Sequence, residues 1–248
     1  MKDGSADFTL LTIDGYDLLG AKPQQFAERR EALLERVDGL GDKVEAQGPT
    51  GLTKITIAQG GAFFDDRQHG MHVAFAHLPT AAQSPTRTLV YSFTGGKTVT
   101  TVAGVFAESY AVVAQQAKLT KANVTYHVNG IPSDGGRLVQ GTTLQTATWT
   151  GAVVDLGASA TTGADIVQQV LDLADADLAG VVHASADGVT GWAAVASFAT
   201  VLHTGTLPSI QTLSIGTTIN RYVRYVGTLT ASGPNPLTRV AIILTPHS

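Results

Sequence analysis

Histidines and carboxylates are the groups in this chain best suited to chemistry, and one stretch gathers both: Asp65, Asp66, His69, His72 and His77. On a helix His69 and His72 share a face, but His77 is five residues further on and points elsewhere, and the spacing fits no zinc motif. Asp65 and Asp66 could pair as acid and base or hold a magnesium ion. Adjacent carboxylates at the start of a helix more simply cap it and favour its positive end. A second group lies near the C-terminus, where Arg221, Tyr222, Arg224 and Tyr225 make a strand able to stack on a sugar or a base, or to meet a partner subunit. Only 6% of the residues are aromatic, few for a stacking platform, so the subunit contact is the favoured reading of this strand. With no cysteine there is no thiolate nucleophile and no disulfide, which fits folding in a reducing cytoplasm. Phosphate-binding glycine loops, serine elbows and paired-histidine zinc motifs are also lacking. The expectation is a non-enzyme with no cofactor and no metal.

The elements that would carry these groups are mostly short strands. Phe8 to Ile13 reads as a strand before the Asp14-Gly15 turn, and Leu52 to Ala58 alternates Ile55 and Ile57 against Lys54 and Thr56 until Gly60-Gly61 ends it. Leu89 to Thr94, the turn at Gly95-Gly96 and Thr98 to Phe106 form the clearest hairpin. Val124, Tyr126 and Val128 alternate up to Asn129-Gly130, and Gly135-Gly136 separates them from Arg137 to Gln140. Two helices are expected. One follows Pro23 and places Phe26, Leu33 and Val37 on one face, with charges over the remainder as a solvated surface. The other starts at Asp65 or Asp66 and aligns Met71, Phe75 and Leu78. Glu108 to Lys118 settles on neither period.

Charge divides the chain. Residues 1–145 hold 13 of the 16 basic and 14 of the 20 acidic residues, leaving residues 146–248 three Arg, six Asp and no Lys or Glu. That shift, with Thr-, Ala- and Gly-rich sequence over residues 142–162, predicts two domains, 1–145 and 146–248. Six strands are expected in the second: Ile166–Leu173, Leu178–Ala184, Trp192–His203, Ser209–Ile215, Asn220–Thr230 and Leu237–Thr245. The fold class is mainly β, a β-sandwich or barrel with one or two flanking helices followed by a β-sandwich of jelly-roll or immunoglobulin-like type. A formal charge of −4 without a basic stripe argues against binding nucleic acid through its phosphates. No apolar run reaches the roughly 18 residues of a membrane span.

The run LLERVDGLGDKVEAQGPTGLTKITIAQGGAFFDD (Leu33 to Asp66) resembles the corresponding run of major tail, or tail tube, proteins of long-tailed bacteriophages, where a glycine-then-Phe-Asp-Asp corner follows a strand. LTKANVTYHVNG (Leu119 to Gly130) is similar to a second piece of those proteins. Val181 to Phe198 and Ile219 to Leu229 resemble a β-sandwich module carried on them. The resemblance implies a structural virion protein, assembled in the host cytoplasm, whose rings stack into the tail tube that conducts DNA. It implies hexameric or trimeric rings, tape measure and tail terminator proteins as partners, and passing DNA that is not specifically bound. A carbohydrate-binding or adhesion module on a virion or cell surface is the alternative.

Asp38 to Gly51 has no apolar period and carries five glycine or proline residues among its charges, so it reads as a long loop. Within it Asp38, Gly39, Asp42, Lys43, Glu45, Gly48 and Pro49 are the candidate inter-ring contact, a segment that orders when the next ring arrives.

Overall fold

A computed structural model describes residues 8–36, 47–66, 70–76 and 87–247. The chain is mainly β. Its strands are β1 (Leu10–Ile13), β2 (Tyr16–Asp17), β3 (Gln25–Arg36), β4 (Gln47–Phe63), β5 (Arg87–Ser92), β6 (Val99–Val113), β7 (Lys121–Val128), β8 (Ser133–Gln140), β9 (Trp149–Thr150), β10 (Val154–Asp155), β11 (Ala164–Ala174), β12 (Ala176–Ser185), β13 (Ala193–Ser197), β14 (Ser209–Ile215), β15 (Tyr222–Ala231) and β16 (Leu237–Pro246). Among the described residues one α-helical turn, α1 (Met71–Phe75), lies between β4 and β5.

Eleven strands join in one sheet that bends on itself at β6. The first half of β6 pairs with β5 and β8, and its second half with β7, the switch falling near Gly104. On one side the order continues β7, β4, β3; on another it runs β5, β1, β2; through β8 it reaches β16, β11 and β14. The other sheet has five strands, β10, β15, β12 and β13 in order with β9 beside β15.

Three apolar clusters follow from the alternation of side chains along these strands. Leu11 and Ile13 of β1, with Leu89 and Tyr91 of β5, point into a core completed by Ile57, Phe75, Val124 and Tyr126. The opposite faces of the same strands, Leu10 and Val90, meet Leu171, Ala241 and Ile243 of β11 and β16. Those strands in turn send Ile166, Val170, Ile242 and Leu244 the other way, against Leu178, Val182, Val223 and Tyr225 of the five-stranded sheet. β11 and β16 are thus covered on both faces, which explains their near-continuous apolar sequences. Arg239 also reaches Asp17 across the junction at 3.1 Å.

Several sequence expectations give way here. The helix predicted after Pro23 is the strand β3, paired with β4 from Gln25 opposite Gly60 to Arg36 opposite Gln47. Its charges mimic a helical period, but few apolar side chains make a stripe, and the ladder with β4 pairs the backbone groups along the inner edge of the strand. Gly48, Pro49, Thr50 and Gly51, expected at the end of the long loop, are strand: β4 starts before them at Gln47. Nor does Gly60-Gly61 end the strand. It forms a bulge, where the register with β7 shifts between Gln59 and Ala62 and Gly61 takes φ +68°. Gly135-Gly136 likewise lies inside β8. The helix expected from Asp65 is one turn with Gly70 at its N-cap, and Asp65 accepts the His72 backbone N–H through its own carbonyl at 2.8 Å. Trp192 to His203 shortens to β13.

Candidate functional site

The most exposed built element is the hairpin of β3 and β4. β3 pairs with β4 alone among the described residues, so its outer edge is free along twelve residues. The base of the hairpin is anchored. Phe26 stacks on Phe8 with ring centres 5.3 Å apart, and Tyr91 donates to Glu28 at 2.6 Å. Burial first, then the Glu28 carboxylate, pushes the Tyr91 hydroxyl pKa upward. Arg30 makes a two-pronged ion pair with Asp134 of β8, at 2.7 and 3.0 Å, and also donates to Glu28. These partners raise the pKa of Arg30 and lower that of Asp134.

Beyond Ala32 the hairpin leaves the core. A bulge in β4 opposite Leu33 shifts the pairing, and Thr50 fixes it by donating to the Leu33 carbonyl at 2.9 Å while accepting the Leu52 N–H at 3.2 Å. Leu33, Leu34 and Leu52 are 41%, 57% and 63% exposed, although leucine gains most by burial. A two-stranded ribbon is marginally stable in water on its own, so one carrying three exposed leucines is shaped for contact.

Asp38, Gly39, Asp42, Lys43 and Glu45 of the candidate contact segment lie outside the described residues. Gly48 and Pro49 belong to β4, opposite Glu35 and Leu34.

The strand with Arg221, Tyr222, Arg224 and Tyr225 divides by the strand period. Tyr225 is fully buried, lies tilted against Trp149 with ring centres 5.6 Å apart and donates to Gln168 at 2.9 Å, and burial raises its pKa. It cannot be the surface contact expected of it. Tyr222 and Arg224 lie on the opposite face of β15. Arg224 covers the Trp192 ring at 4.1 Å, and Arg221 lies 5.1 Å from the Tyr222 ring centre. Arg221 also grips Asp155 at 2.7 and 2.6 Å; with the Gly157 N–H, this holds the Asp155 carboxyl at about 2. Trp192 was not among the residues singled out from the sequence. Its position after the Asp187-Gly188 turn, one turn from a strand paired to β15, was the available signal.

His72 approaches Tyr110 at 3.1 Å, while His69 and His77 lie outside the described residues. Among the described residues no group of three or more His, Cys, Asp or Glu could hold a metal ion, and no helix is long and apolar enough to cross a membrane.

No protein-family model matches the chain, and no curated protein matches it either. Solved structures do. The chain is similar to a protein from the tail of an empty gene transfer agent particle, with TM-score 0.38, 12% identity, 53% of this chain covered and 98% of that one. It is similar to a chain from the virion of a native gene transfer agent particle, with TM-score 0.39, 12% identity and coverages of 54% and 98%. It is also similar to the Dit protein of phage SPP1, described as a hub adsorption apparatus in phages infecting Gram-positive bacteria, with TM-score 0.36, 13% identity and coverages of 96% and 98%. At these scores the likeness is loose and carries no inference about function.

Proposed function

We propose that the chain is a structural subunit of a phage-type tail, acting by polymerisation rather than catalysis. Many copies form rings, hexamers before trimers, and the rings stack into a tube through which DNA passes without specific contact. The tape measure and terminator proteins of such a tail are its further partners. The observation that carries this reading is the β3–β4 hairpin: a long ribbon with one edge unpaired among the described residues and three exposed leucines beyond its anchored base. An uncovered edge of that length is an aggregation liability, and pairing or packing with further copies removes it. The sequence resemblance over Leu33–Asp66 falls on this same hairpin, which supports the assignment. The sugar-stacking alternative gains nothing from the β15 face, where Arg224 and Arg221 already lie over Trp192 and Tyr222.

Negative-stain electron microscopy of the purified full chain over a range of concentrations tests the proposal. Rings or tubes are expected. Monodisperse single subunits at every concentration would refute it.

A further inference from the structure

Exposed large apolar side chains are scattered singly over most of this surface, but six of them collect at the two ends of one sheet. At one end are Leu33, Leu34 and Leu52 of the β3–β4 hairpin. At the other, where β4, β6 and β7 meet, Val112, Val113 and Leu119 are 44%, 42% and 70% exposed. Phe63, Val113 and Leu119 here line a pocket of about 380 Å³ with Gln115, Lys118 and Lys121. Lys121 lies 3.9 Å from the centre of the Phe63 ring and donates to the Gly61 carbonyl at 3.2 Å, so one wall of the pocket is held in place.

Both ends belong to the continuous strand β4. Leu52 and Phe63 are separated by eleven residues, roughly 35 Å along an extended strand, so the leucines of one chain cannot reach the pocket of that same chain. A second copy brings the two together. One charge pairing is open to the meeting. Glu35 stands beside Leu34 on the hairpin, where Arg36 and Lys54 also lie and Glu31 already pairs with Arg29 at 2.5 Å, and the pocket rim carries Lys118 and Lys121 with no acidic residue from Val113 to Lys121. We propose that the hairpin end of one copy, through Leu33, Leu34 and Leu52, seats in the Phe63–Val113–Leu119 pocket of the next copy.

Such a contact is head-to-tail: each chain offers both the knob and the hole, so it does not saturate in a dimer and propagates copy by copy. It rests on the assembly reading and specifies which surfaces meet. Its apolar centre supplies affinity, and the Glu35–lysine rim sets orientation.

The chain has no cysteine, which makes cross-linking a clean test. The full-length double variant Leu34→Cys/Leu119→Cys is oxidised under conditions where particles are counted by electron microscopy, beside the double variant Leu34→Cys/Ile131→Cys, whose second site is 90% exposed but away from the pocket. The expected result is a disulfide ladder of many subunits for the first pair, at least tenfold stronger than for the second. Particles without that ladder would overturn the contact while leaving assembly intact. Neither particles nor ladder would overturn both. A second check uses charge: Glu35→Lys should weaken assembly severalfold, and Lys118→Glu in the same chain should restore it; no rescue would count against the contact.

Discussion

The residues before Gln140 and those after it solve the problem of burying a sheet in opposite ways. After Gln140 the strands are short or covered, charges are few, and close approach does the packing. Gly227 lies against the Trp149 ring so tightly that a side-chain carbon there would sit 2.2 Å from it, and the Tyr225 hydroxyl is paired inside the core. Before Gln140 the strands outrun their core. β4 and β6 are 17 and 15 residues long, and the ends of both carry exposed apolar side chains. The later part packs by close approach between its two sheets, while the earlier part collects exposed apolar side chains toward the ends of its long strands. The proposed contact with further copies accordingly uses strands that lie before Gln140.

The largest expected effect concerns the layer shared by the two parts. Ile243 is fully buried between β16 and the Leu10–Val90 face. Ile243→Ala should cost about 2–5 kcal/mol. Because the cluster joins both parts, tryptophan fluorescence and far-ultraviolet circular dichroism should shift together on melting. Both tryptophans, Trp149 and Trp192, lie after Gln140, so a fluorescence transition well separated from the dichroism would mean that the parts unfold independently. The same measurement bears on the proposed division at residues 145/146.

Gly227→Ala ranks next, because it drives a methyl group into the Trp149 ring; overpacking of this kind costs about 1–3 kcal/mol. Its effect should be read in tryptophan emission and leave assembly of the folded chain unchanged.

Much of the later part was legible in the sequence, because its strands are apolar, alternate cleanly and end at turn residues: Ser209–Ile215 was placed to the residue, and β11, β12 and β16 nearly so. The earlier part was read less well for a physical reason. β3 has only Phe26, two alanines and two leucines among charged and amide side chains, so its strand identity comes from pairing with β4, seventeen residues long and invisible to any local window. Gly60-Gly61 and Pro49 look like stops; a bulge and an edge-tolerant position let the strand run through them. The same blindness applied to contacts. Tyr225, grouped with Arg221, Tyr222 and Arg224 as a surface contact, lies on the buried face because a one-residue step reverses a strand side chain, and Trp192 joins Arg224 only across strands, which no local pattern reveals.

A smaller effect is expected at the hairpin base. Arg30 and Asp134 are 41% and 50% exposed, so Arg30→Ala should cost no more than about 1 kcal/mol in global stability. Hydrogen exchange should nevertheless quicken over β3 and not over β12 or β15. Equal change in all three would deny the hairpin its separate behaviour.

The smallest effect is a pH dependence at the C-terminal end of β16. His247 pairs with Asp165 at 3.0 Å and with the Thr162 carbonyl at 3.1 Å, and the carboxylate, then that carbonyl, raise its pKa above 6.5. A raised histidine contributes fully below 6.5 and loses that contribution as pH climbs through its higher folded value. His247→Ala should flatten the wild-type decline in melting temperature across that window. An unchanged slope would remove His247 from the account.

The most direct measurement compares the particle size of the full chain with that of a Leu33→Ser, Leu34→Ser, Leu52→Ser variant by sedimentation velocity, after confirming that both melt alike. The wild type should form large, concentration-dependent species, and the variant should sediment as a folded single subunit. A variant that assembles as readily as the wild type would contradict the claim that the hairpin end is where copies meet.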